Sequence, residues 1–123
     1  MLRTYHNHGH PLSLKDLRDF PEAVKGEVGY ALYIAQQGDK HPDAKPLKGL
    51  DGAHVLEVAE DFDGNTYRAV YTVRFESGIY VLHAFQKKAK HGVSTPQQDL
   101  ELIKNRMKTA QAQDLERQKR KRE

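Results

Sequence analysis

The chain has 123 residues, no cysteine, and 20 lysines and arginines against 17 aspartates and glutamates. That length suits one domain with a modest core, and the lack of cysteine excludes a disulfide framework and thiolate metal sites and suits a reducing cytosol. No apolar run approaches the ~20 residues of a membrane span, and the N-terminal MLRTYHNHGHP lacks a signal peptide's apolar segment, so the expectation is a cytoplasmic protein without a membrane partner.

The net charge of +3 is unevenly placed. Residues 115–123 hold five basic and two acidic side chains, so residues 1–114 carry 15 of each sign and sum to zero. Within that neutral part, residues 83–92 hold three lysines and no acid. A basic patch and a basic tail suit a nucleic-acid or ribosomal partner, although charge alone does not choose one.

In chain order, Leu2 to Tyr5 can add an edge strand. Ser13 is placed to cap a short helix over residues 14–20, and Pro21 to open a second helix to about Gln37. Val24, Val28, Ala31 and Ala35 give that helix an apolar stripe, and Gly38 suits its C-terminal stop. Residues 38–53 read as a loop. Residues 55–62 read as a strand, Asp63-Gly64 as a hairpin turn, and residues 67–75 and 79–86 as two more strands joined at Ser77-Gly78. Thr95-Pro96-Gln97-Gln98 has the form of a capping box that opens a C-terminal helix, with Leu100, Ile103, Met107 and Ala110 as its stripe. Beyond Gln111 the stripe is lost, and fraying is expected. The division is a domain over residues 1–112 and a basic tail over 113–123. The fold class is α+β: a small antiparallel sheet, two N-terminal helices on one face and a C-terminal helix.

Period-2 alternation sorts the two long strands into unlike faces. Tyr67, Ala69, Tyr71, Val73, Phe75, Tyr80, Leu82 and Ala84 form the face to be buried. Arg68, Val70, Thr72, Arg74, Val81, His83, Phe85 and Lys87 form the other. A two-residue turn at Ser77-Gly78 sets Thr72 opposite His83 and Arg68 opposite Lys87; one at Asp63-Gly64 sets Glu57 near Val70. A face carrying Arg, His and Lys suits RNA cleavage. A base takes the proton of a 2′-hydroxyl, which attacks the adjacent phosphate; cations stabilise the added charge; an acid protonates the leaving oxygen. Neither a metal nor a cofactor is needed. The plainer alternatives are an Arg68–Glu57 cross-strand pair, a hydrogen-bonded His83 under a loop, and solvated lysines at Lys87, Lys88 and Lys90.

The stretches SLKDLRDFPEAV, GYALYIAQQG, KPLKGL, VLEVAEDFDGNTYRAVYTVRF and YVLHAFQKKAKHGVSTPQQDLELIKNR cover about residues 12–108. Together they resemble the RelE/HigB superfamily of type II toxin–antitoxin toxins, in particular its phage-derived branch. The resemblance implies a ribosome-dependent mRNA endonuclease that works without metal. It also implies a helix-turn-helix antitoxin as partner, with operator DNA reached through it. The family's strand arginine falls on Arg68 and its lysines on Lys87 and Lys88; His83 matches a Leu-His-Ala-Phe motif. Arg68, His83 and Lys87 are thus the expected catalytic residues, and Lys45, Lys48, Arg74, Lys88 and Lys90 the expected RNA-binding ones. Whether His83 or a lysine is the base stays open. Ala59 stands where many superfamily members carry a basic residue, and no tyrosine follows Tyr80. The competing functions are a ParE-like gyrase poison and a non-catalytic member that binds antitoxin and operator. His6, His8 and His10 alternate as metal ligands on a strand would, but a polar N-terminal loop is the preferred reading.

Overall fold

A computed structural model describes residues 5–6, 16–50, 54–73, 78–87 and 95–122. Its elements are β1 (Tyr5–His6), α1 (Glu22–Gln36), β2 (Ala44–Pro46), β3 (Val55–Phe62), β4 (Asn65–Thr72), β5 (Ile79–Lys87) and α2 (Gln97–Arg122), with a helical turn at 16–18 before α1. The sheet order is β1-β5-β4-β3-β2, antiparallel except for the parallel β1–β5 edge. The expected α+β class and antiparallel sheet are present. The edge strand lies at Tyr5–His6, at the end of the segment expected to form it. The expected Ser13 cap, His8 and His10 lie outside the described residues.

Local chemistry accounts for the ordered ends. Pro21 caps α1 without a side-chain bond, and Gly38 at φ 90° closes it, donating its N–H to Ala35 O at 3.0 Å. Asp63 and Gly64, at φ 51° and 81°, make the positive-φ pair that a two-residue hairpin demands. That turn gives the expected β3–β4 register, with Glu57 opposite Val70.

The β4–β5 register differs from the expectation. Val70, not Thr72, lies opposite His83; Phe85, not Lys87, lies opposite Arg68; Lys87 lies opposite Thr66. Tyr71 pairs with Val81, so Leu82 is an extra residue and the strand bulges there. The bulge also resets the alternation. Ile79 and Val81 join the α1-side core, while Tyr80 and Leu82 join the α2-side core, the reverse of the even two-face sorting for those residues. Thr72, expected on the charged face, accepts the Tyr80 backbone N–H at 3.0 Å.

Both faces of the sheet are covered, so the second is not an open cationic surface. Val24, Val28, Ala31 and Ala35 of α1 pack on Val58, Ala69, Tyr71 and Ala84. On the other side Ile103, Met107 and Ala110 of α2 pack on Val55, Val70, Tyr80 and Leu82. The expected fraying beyond Gln111 is also corrected. The helix continues to Arg122, held not by apolar groups but by a buried Asp114 and by Arg117, whose Nη1 donates to the Tyr80 hydroxyl at 3.0 Å. Among the described residues no helix is long and apolar enough to cross a membrane.

Candidate functional site

The register places four residues in one row across the sheet: Lys45 of β2, Glu57 of β3, Val70 of β4 and His83 of β5. Ala59, Arg68 and Phe85 form the next row. Residues two apart on a strand share a face, so Arg68 joins Val70, Glu57 and Lys45 on the side that faces α2. A cleft of about 750 Å³ opens here, lined among others by Lys45, Lys48, Glu57, Arg68, Thr95 and Gln97. Asp43, Glu60 and Asp61 also line it, so acidic groups stand in the cleft beside the cations. Ala59 lines it beside Arg68, where a longer side chain would fill space.

Two hydrogen-bonded clusters stand on this face. In the first, Arg68 Nη1 donates to both Glu57 carboxylate oxygens at 3.3 Å, and the Thr95 hydroxyl donates to Glu57 Oε2 at 2.9 Å. Thr95, expected as a helix cap, thus turns its hydroxyl across the sheet. Arg68 is buried and Glu57 nearly so, with side-chain exposures of 4% and 17%. In the second cluster His83 lies between two residues of α2. Its Nε2 is 2.9 Å from Asp99 Oδ1, and its Nδ1 is 3.3 Å from Arg106 Nη1, which also donates to Leu82 O at 2.8 Å. A guanidinium can only donate, so Nδ1 accepts and Nε2–H donates to Asp99. The ring stacks on Phe85 with centroids 4.5 Å apart.

Burial is the main force that pushes the His83 imidazole below its ordinary value. The Arg106 charge adds to this, while the hydrogen bond and charge of Asp99 and the charge of Asp16 oppose it. His83 is therefore a neutral ring with both nitrogens engaged, outside the cleft wall. Burial likewise lowers Arg106, against the charge of Asp16.

The expected site residues divide accordingly. Arg68, Lys45 and Lys48 meet at the cleft; His83 is on the same face but held by α2. The backbone of Lys87 lies opposite Thr66, one strand from Arg68. Arg74, Lys88 and Lys90 fall outside the described residues. Sequence reasoning missed Thr95, Asp99 and Arg106 as members of the site. A signal existed for the last two: Asp99 and Arg106 fall at helical spacing along the Leu100–Ile103–Met107 stripe, where a charged residue needs a buried partner.

A separate cluster on the α1 side joins Glu27, His41 and Glu60, whose ligand-type atoms lie within 4.8 Å of one another. His41 Nδ1 accepts the Asp43 backbone N–H at 3.0 Å, which makes Nε2 the protonated nitrogen that faces Glu27 Oε2 at 3.3 Å. A ligating histidine has the opposite wiring, donating its second N–H outward. The ring is built as a donor, not as a metal ligand.

No curated protein and no solved structure matches the chain. Residues 15–108 match the model of the phage-derived Gp49-like protein family (DUF891). That match spans the helical turn, α1, the four antiparallel strands and the first half of α2, and the α+β arrangement is consistent with a RelE-like fold. The chain belongs to the phage-derived Gp49-like family, a family of toxin-like proteins.

Proposed function

We propose that this protein is the toxin of a type II toxin–antitoxin pair, a RelE/HigB-type endoribonuclease that cuts mRNA on the ribosome. The observation that carries the reading is the convergence of Lys45, Glu57 and Arg68 at one cleft, with His83 in the same row of the sheet. Lys45 and Lys48 at the cleft hold RNA phosphates as point charges, and Arg68 offers a planar fork to the reacting phosphate. Glu57, oriented by Arg68 and Thr95, takes the 2′-hydroxyl proton in this reading. The 2′-oxygen then attacks phosphorus, the bond to the 5′-oxygen breaks, and Lys87 supplies the proton to that leaving oxygen. His83 acts through position: neutral and bonded at both nitrogens, it holds the start of α2 against the sheet. Arg68 meets RNA only if it loosens from Glu57, and a ribosome that orients the mRNA provides the binding energy for this. The antitoxin partner is a helix-turn-helix protein that reaches operator DNA.

Pulse labelling during induced expression tests the target. Methionine incorporation should fall first while thymidine incorporation continues. Early loss of thymidine incorporation with translation intact overturns the RNA-cleaving function in favour of a ParE-like gyrase poison.

A further inference from the structure

The whole formal net charge of the chain sits in residues 115–123, and the structure gives those charges a fixed frame. The apolar seam of α2 ends at Ala110, yet the helix runs on for roughly three more turns. Its inner side there is polar and engaged with the fold. Asp114 is 7% exposed and accepts from Gln118 Nε2 at 2.8 Å. Arg117 donates to the Tyr80 hydroxyl, and its guanidinium lies 5.4 Å from that ring's centroid. Arg117 is thus committed to the fold. Beyond these contacts Lys119, Arg120 and Lys121 are exposed, and none has a hydrogen-bond or ion-pair partner among the described residues. One cation in a last turn answers the helix dipole; three consecutive ones, at ~100° per residue, spread over roughly 200° of the helix end.

We infer that the end of α2 is a second RNA-binding surface, which grips the phosphodiester backbone at a distance from the cleft. The inference rests on the RNA-cleaving function proposed above. At ~1.5 Å rise per residue, Lys119 stands roughly 33 Å along the helix from Gln97 at the cleft wall. The two surfaces therefore touch separate parts of a nucleic acid or of a ribosome-bound complex. Among the described residues of these turns Leu115 is the one exposed large apolar side chain, too little for the broad apolar face of a membrane-bound helix. The cations are not interleaved with exposed aromatics, so the surface reads backbone charge rather than base sequence.

The test uses the full chain and a 2′-O-methyl oligoribonucleotide, which cannot be cleaved, with binding measured by fluorescence anisotropy over a range of salt. The K119Q/R120Q/K121Q variant should melt as the wild type does, and its log–log salt slope should be shallower by about 2, at ~0.7 for each single-strand phosphate no longer neutralised. An unchanged slope in the folded variant overturns the inference. So does equal displacement of the RNA by polyglutamate of the same charge, which would assign the surface to acidic protein. Arg68→Ala separates the two proposals: it should abolish cleavage and retain the full contribution of these three residues to the slope. If the parent proves not to cut RNA, a slope difference of about 2 still supports the helix-end surface on its own.

Discussion

Arg68 and Glu57 face each other diagonally across β4 and β3, with one guanidinium nitrogen 3.3 Å from both carboxylate oxygens and both side chains largely withdrawn from water. The pair is at once the floor of the cleft and a structural tie, because Thr95 fastens the entry of α2 to the same carboxylate. The Arg68 charge is thus already engaged by Glu57, and the pair is tied to the position of a helix.

Removing one member leaves the other charge with little solvent. Arg68→Ala should therefore cost about 3 kcal/mol, a fall in Tm of roughly 10 °C, in addition to relieving toxicity. Arg68→Ala with Glu57→Ala together should cost clearly less than the two single changes summed. Thermal melts of the four proteins check this; additive losses would mean the pair is not an energetic unit.

His83 sets a pH dependence. Its folded value is lowered, chiefly by burial, so the native state resists protonation more than the unfolded chain does. The stability it contributes is complete above about pH 6.5 and is lost as pH falls below that toward the folded value. Wild-type Tm should drop on acidification through this window, and His83→Gln should flatten that drop while lowering Tm at higher pH by loss of the Asp99 bond.

Glu60 works in the opposite sense. Burial first, then the charges of Asp43 and Glu27, raise its carboxyl above the ordinary value. The native state holds that proton more tightly than the unfolded chain, so its contribution is present at low pH and lost as pH rises through the folded value. Glu60→Gln, which mimics the protonated form, should raise Tm at neutral pH and change it little at acidic pH. An equal shift at every pH would contradict the electrostatic cause.

The end of α2 is part of the fold. Arg117→Ala removes both the hydrogen bond to Tyr80 and the cation–ring interaction, at a cost of about 1.5 kcal/mol. Truncation after Ala112 removes Asp114 as well and should lower Tm by more. A truncated protein that melts like the full chain would show that this polar docking contributes nothing to stability.

Much of the architecture is legible in the residues because local chemistry decides it. Asp63-Gly64 admits one tight hairpin, and so the Glu57–Val70 register follows from the turn. The Val24–Val28–Ala31–Ala35 stripe places α1 on the sheet for a similar reason. The β4–β5 pairing is not legible: from Thr66 to Val70 it lies two residues from the register of a two-residue turn, and the extra residue at Leu82 shifts it by one more and swaps which residues face α2. Nothing local announces that bulge. The polar docking of Asp114 and Arg117 escapes hydrophobic periodicity by its nature. Arg68 and His83 are readable as site candidates and Arg68–Glu57 as a cross-strand pair, but the groups that hold them, Asp99, Arg106 and Thr95, come from α2 and its entry, whose placement is tertiary.

Primer extension on a defined mRNA in a purified bacterial translation system tests the central claim most directly. Wild-type protein should produce new 5′ ends within the reading frame. None should form when ribosomes are omitted, and none with Arg68→Ala assayed below its lowered Tm. Intact mRNA with ribosomes present, from a protein that still arrests growth, would contradict the proposed nuclease.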